Sequence, residues 1–172
     1  GAGDDTVHIN NSTVPAGMTA ATSTITVNLG DPTASDTLTV NSQTGSNDVM
    51  VVRPSAVTQG AGTVDYTADN LPDVVYTGTE HINLVGQLSE GDSFGVDGTA
   101  GNDTFEYFSG DTVDSGHVLG TMNLGVGAGV TLPEISFANM NPGVVRAFNV
   151  HGAQGGADVF LFVATDSDDT IV

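Results

Sequence analysis

The chain has 172 residues, no Cys and no Lys; Arg53 and Arg146 stand against 21 acidic side chains, for a net charge of -19. That surface makes nucleic acid and anionic membranes poor partners, and without Cys there is neither a disulfide framework nor a thiolate metal site. Hydrophobic content of 38%, with 23 Val and 22 Thr against 9 Leu, suffices for a core and favours strands, because β-branched side chains fit a pleated, half-buried surface.

In chain order, one short pattern recurs: small or polar residues, an Asp, then alternation. Asp5 precedes Thr6-Val7-His8-Ile9, Asp36 precedes Thr37-Leu38-Thr39-Val40, and Asp48 precedes Val49-Met50-Val51-Val52. The pattern returns at Asp92 (Phe94, Val96), Asp103 (Phe105, Tyr107), Asp158 (Phe160, Phe162) and Asp169 (Ile171). Every residue two or four places after one of these Asp residues is apolar. Period-two alternation of this kind predicts a strand that starts at the Asp and turns its second and fourth following residues to a core.

The motifs come in pairs. Asp36 and Asp48 are 12 residues apart, Asp92 and Asp103 are 11 apart, and so are Asp158 and Asp169; Gly30, Gly86 and Gly152 each stand six residues before the first Asp of a pair. Between the pairs, Leu71-Pro72-Asp73-Val74-Val75-Tyr76 resembles Leu132-Pro133-Glu134-Ile135-Ser136-Phe137, and Ile82-Asn83-Leu84-Val85-Gly86 resembles Phe148-Asn149-Val150-His151-Gly152. The reading is a single repeat-built domain over 1–172: a partial unit at 1–35, units at 36–91 and 92–157, and the start of another at 158–172. The second unit is longer by ten residues, which we expect as a loop insertion near Gly110 to Gly129. The expected fold is all-β, a parallel β-solenoid. An antiparallel β-sandwich is the alternative, although such units are short beside an immunoglobulin-like domain of about 100 residues.

No run reaches the ~20 apolar residues of a membrane-spanning helix, and the first residues include no Met, basic segment or signal-like stretch, so a mature chain or an excised piece is expected.

Gly98-Thr99-Ala100-Gly101-Asn102-Asp103-Thr104-Phe105-Glu106 is similar to the calcium-binding nonapeptide G-G-x-G-x-D-x-U-x of RTX, or haemolysin-type, repeats. Gly3-Asp4-Asp5-Thr6-Val7 and Gly156-Ala157-Asp158-Val159-Phe160 match its latter half, while Ala34, Ser46, Glu90 and Ser167 replace the Gly elsewhere. The spaced units and the L-P-x-V-x-Y segments look like the repeat arrays of very large secreted bacterial surface proteins. The resemblance implies an extracellular or cell-surface setting, adhesin-like company and bound calcium.

Calcium takes six to eight oxygens, which a glycine-rich turn supplies as carbonyls and Asp as carboxylate. The metal candidates are Asp103 with Asn102, Asp48 with Asn47, Asp5 with Asp4, then Asp36, Asp92, Asp158, and Asp169 with Asp168. A second reading stays open: each Asp only hydrogen-bonds its own turn. His8, His81, His117 and His151 have no H-x-H or H-E-x-x-H spacing, so neither catalytic nor cofactor-binding residues are expected. A neutral-glycan ligand would need exposed aromatics, for which Tyr66 and Tyr76 are the candidates.

Three functions are weighed. The first is a non-catalytic structural or adhesive module of an extracellular surface protein, stabilised by calcium. The second is a self-assembling filament or sheath subunit, its partners being neighbouring repeats or copies of itself, head to tail. The third, a β-helix polysaccharide lyase, is opposed by having two Arg and no Lys to handle an acidic sugar.

Overall fold

The computed structural model describes residues 3–10, 24–30, 35–67, 71–125, 129–140, 148–152 and 156–163. These residues are all-β: they form fourteen strands and no helix. The strands are β1 (Thr6–Asn10), β2 (Thr24–Asn28), β3 (Thr37–Asn41), β4 (Val49–Pro54), β5 (Gly62–Tyr66), β6 (Asp73–Thr77) and β7 (His81–Val85). They continue with β8 (Ser93–Asp97), β9 (Thr104–Ser109), β10 (Gly116–Met122), β11 (Val130–Thr131), β12 (Glu134–Ala138), β13 (Phe148–His151) and β14 (Val159–Val163).

Two mixed sheets hold them. The first runs β1-β3-β7-β12-β10-β9-β14, with β11 beside β10; the second runs β13-β8-β4-β5-β6-β2. Neither sheet closes into a barrel, so β1 and β14 end the first and β13 and β2 end the second among the described residues.

Alternation within each strand builds the core. Parallel register stacks Val7, Leu38, Ile82 and Ile135 in one column and Ile9, Val40, Leu84 and Phe137 in the next. The second sheet answers with Met50, Phe94 and Phe148, and with Val52, Val96 and Val150. Side chains of both sheets form one hydrophobic cluster. Phe94 of the second sheet lies 4.4 Å from Phe137 of the first, and Tyr107 of the first lies 5.1 Å from Phe148 of the second, centroid to centroid. Of the residues expected to face inward, Leu38, Val40, Met50, Val52, Phe94, Val96 and Phe105 are fully buried, whereas Phe160 and Phe162 on the terminal strand β14 are exposed.

The sheets depart from a purely parallel stack at two meanders. β4, β5 and β6 pair antiparallel in sequence, and so do β9, β10 and β12. The second meander runs through the stretch near Gly110 to Gly129 where a loop insertion was expected: β10 lies there as the counterpart of β5, with Val118 and Met122 buried in the core. The excess of Gly and Thr there reads as loop in the sequence, but Gly116 and Gly120 sit where a Cβ would meet the Phe108 and Thr104 carbonyls of β9. They permit close strand approach instead of marking a turn.

The meanders expose a common plan. β3 to β7 lie in the first, second, second, second and first sheets; β8, β9, β10, β12 and β13 lie in the second, first, first, first and second. Pairing follows suit: β3–β7 and β8–β13 are parallel, as are β4–β8 and β9–β14. Successive runs of five therefore follow the same pairing plan with the sheets exchanged, which is why Asp36 enters the first sheet and Asp92 the second.

Candidate functional site

Each of the six described motif Asp residues stands immediately before a strand: Asp5 before β1, Asp36 before β3, Asp48 before β4, Asp92 before β8, Asp103 before β9 and Asp158 before β14. Asp36, Asp48, Asp92 and Asp103 are fully buried. A buried carboxylate must find donors, because desolvating it unpaired costs several kcal/mol.

The donors are backbone N–H groups from two directions. The first set closes the carboxylate's own turn: Gln43 N–H donates to Asp48, Gln87 N–H donates to Asp92 Oδ2 at 2.6 Å, and Thr99 N–H donates to Asp103. Hydroxyls add to these, with Ser46 Oγ on Asp48 Oδ1 at 2.6 Å, Ser42 Oγ on Asp92 Oδ2 at 2.9 Å and Thr99 Oγ1 on Asp103 Oδ1 at 2.9 Å. Glycine makes room for the turn. A Cβ on Gly98 would stand 2.6 Å from Asp103 Oδ2, and one on Gly86 would stand 3.1 Å from Asp92 Oδ2. The Gly five or six residues before an Asp thus marks where the carboxylate lies against the backbone.

The second set ties parallel neighbours together. Asp5 N–H donates to Asp36 Oδ1 at 2.7 Å, Asp48 N–H to Asp92 Oδ1 at 2.9 Å and Asp103 N–H to Asp158 Oδ1 at 3.0 Å. The residue before the donor Asp returns the bond: Ser35 N–H donates to Asp4 Oδ1 at 3.2 Å, Gly91 N–H to Asn47 Oδ1 at 2.8 Å and Ala157 N–H to Asn102 Oδ1 at 2.8 Å. Three strand pairs, β1–β3, β4–β8 and β9–β14, therefore enter through a reciprocal two-rung clasp. The dipeptides Asp4-Asp5, Asn47-Asp48 and Asn102-Asp103 are its sequence signature. Asp168 and Asp169 lie outside the described residues.

One participant escaped the sequence reading. Glu80, just before β7, accepts the Asp36 N–H on Oε2 at 2.9 Å, doing for β3–β7 what an Asp does elsewhere. The available signal was an acidic residue directly ahead of the alternating His81-Ile82-Asn83-Leu84. Asp36 Oδ2 and Glu80 Oε1 are buried without a hydrogen-bond partner.

No family model, curated protein or solved structure matches this chain.

Among the described residues, no group of three or more His, Cys, Asp or Glu side chains is arranged to hold a metal ion. The four His lie on four strands: His8 on β1, His81 on β7, His117 on β10 and His151 on β13. His81 Nδ1 is 3.3 Å from Glu134, His151 Nδ1 is 2.9 Å from Asp97, and the His117 ring stacks on Phe108. Arg53 donates through Nε to Asp97 at 2.7 Å and pairs with Asp65.

The two tyrosines expected as glycan platforms are core residues. Tyr66 and Tyr76 are buried, because alternation along β5 and β6 turns them inward with Val64 and Val74. Burial also pushes the Tyr76 phenol well above its ordinary pKa. The exposed aromatics are Phe160 and Phe162, and with Phe105, Tyr107 and Phe148 they line a cleft of about 570 Å³.

Proposed function

We propose that this chain is a non-catalytic structural module of an extracellular surface protein: a solenoid-like stack of strands whose entries are locked by its own acidic side chains. The observation that carries the reading is the reciprocal clasp at β1–β3, β4–β8 and β9–β14. Asp36, Asp92 and Asp158 accept an N–H from a neighbouring strand and Asp92 one from its own turn as well; carboxylates so used act as scaffold, and acids repeated for that purpose need no substrate. The solenoid is supported by the repeated five-strand plan, and the extracellular setting by the resemblance of residues 98 to 106. Arg53, the one described cation besides the His side chains, is engaged by Asp65 and Asp97, an arrangement that serves packing.

Calcium is where two forms of the proposal divide, and thermal unfolding in calcium and in chelator separates them. Carboxylates held by N–H donors predict the same midpoint in both. Calcium ligation predicts stabilisation by RT ln(1 + [L]/Kd), about 2.7 kcal/mol at a hundredfold excess over Kd. That result would overturn the hydrogen-bonded form in favour of a calcium-stabilised module.

A further inference from the structure

Among the described residues β14 ends the first sheet, and all five of its residues are 40–48% exposed: Val159, Phe160, Leu161, Phe162 and Val163. It has no charge on either face, whereas edge strands are ordinarily blunted by Lys, Pro or a bulge. Its counterparts in the five-strand plan, β3 and β8, carry Thr37, Thr39 and Asn41, or Ser93, Gly95 and Asp97, on the face turned from the core, where β14 carries Val159, Leu161 and Val163. At 150–250 Å² for a whole aromatic side chain, the strand leaves on the order of 400 Å² of apolar surface uncovered, as much as the largest patch on a typical monomer.

The plan states what belongs on that edge. β3 and β8, the first strands of their runs, each pair in parallel with the fifth strand of the run, β7 and β13. β14 occupies the first-strand position and lacks such a partner among the described residues. β2 occupies the fifth-strand position, since it pairs with β6 as β7 pairs with β12, and its other edge ends the second sheet. Among the described residues, these two edges without a neighbour are the two halves of one pairing that the chain already makes twice.

Resting on the structural reading above, we infer that β14 of one copy adds in parallel to β2 of a second copy. The register used by β3–β7 sets Phe160 beside Ile25, Leu161 beside Thr26 and Phe162 beside Val27, which continues the inward columns and covers the aromatic cleft. Because one edge meets a different edge, the contact is head to tail, and the rotation between copies decides between a closed ring and an open filament. Such an area, about half the ~800 Å² per partner of a standard interface, makes a reversible contact. The charge of -19 per copy opposes it until salt screens the repulsion.

The absence of Cys allows a direct test with the whole chain. Thr26→Cys and Leu161→Cys place one thiol each on an exposed, outward position, and the two variants are mixed in salt with a short thiol-to-thiol cross-linker. Covalent dimer should exceed that of either variant alone by about tenfold, since bridging needs adjacent side chains, and Thr24→Cys in place of Thr26→Cys should lower the yield. Sedimentation of the unmodified chain should show association that grows with concentration and salt. A monomer at every concentration, or Leu161→Cys cross-linking equally well to itself, overturns the inference. A monomer that still loses stability when Asp92 is replaced leaves the clasp reading standing, so the two ideas fail separately.

Discussion

Asp92→Ala is the sharpest probe of the clasp. The Asp92 carboxylate is fully buried and accepts three hydrogen bonds, from Asp48 N–H at 2.9 Å, Ser42 Oγ at 2.9 Å and Gln87 N–H at 2.6 Å. Hydrogen bonds to a charged group each contribute about 1.5–3 kcal/mol. Losses within one network do not add, because relaxation and entering water recover part of them. The expected cost is therefore about 3–5 kcal/mol, less than the sum of the three bonds, with the neutral N–H and hydroxyl donors left partly unsatisfied. Asp92→Asn keeps the shape and one acceptor oxygen but turns an amide N–H toward a donor, so it should cost less, about 1–3 kcal/mol. Urea unfolding measures both as shifts in midpoint at constant slope. A loss below about 1 kcal/mol for Asp92→Ala, the level of an ordinary surface change, would refute the reasoning.

Gly86→Ala should lose about 1–3 kcal/mol in the same assay, as overpacking does, because the new Cβ meets the Asn139 carbonyl and stands 3.1 Å from Asp92 Oδ2. Tyr76 gives an alkaline signature. Its phenol ionises near the ordinary value of 10.0 in the unfolded chain and higher in the folded one, so above pH 10 the unfolded state binds fewer protons. Stability should be complete below about pH 10 and fall as pH climbs toward the native value. Tyr76→Phe should lessen that fall and cost little at neutral pH, since the buried hydroxyl has no hydrogen-bond partner; unfolding midpoints measured against pH for both proteins decide it.

Strand entry was legible because it obeys a local rule. An Asp followed by apolar residues at the second and fourth places needs no knowledge of the rest of the chain, and the structure begins a strand at all six described examples. What the Asp does was half legible: its own turn could be foreseen, but the neighbouring N–H it accepts belongs to a residue 31, 44 or 55 places away. The second meander was missed because Gly116 and Gly120 look like turn residues when their purpose is close approach to β9. Tyr66 and Tyr76 were misplaced because neither follows a motif Asp, so no alternation was counted through β5 or β6. Glu80 was missed because its extra methylene put it outside a pattern written for Asp.

The register of the parallel pairs bears on how the molecule comes to exist. β3 meets β7 and β4 meets β8 at a separation of 44 residues, and β9 meets β14 at 55. Contacts so distant along the chain slow folding, because loop closure precedes any reward. At roughly 5–20 residues per second of synthesis, β3 emerges some seconds before β7 exists to receive it. During that interval a Val- and Thr-rich strand waits with an open edge, and the self-repelling acidic chain supplies the solubility that keeps it available for its own later partner.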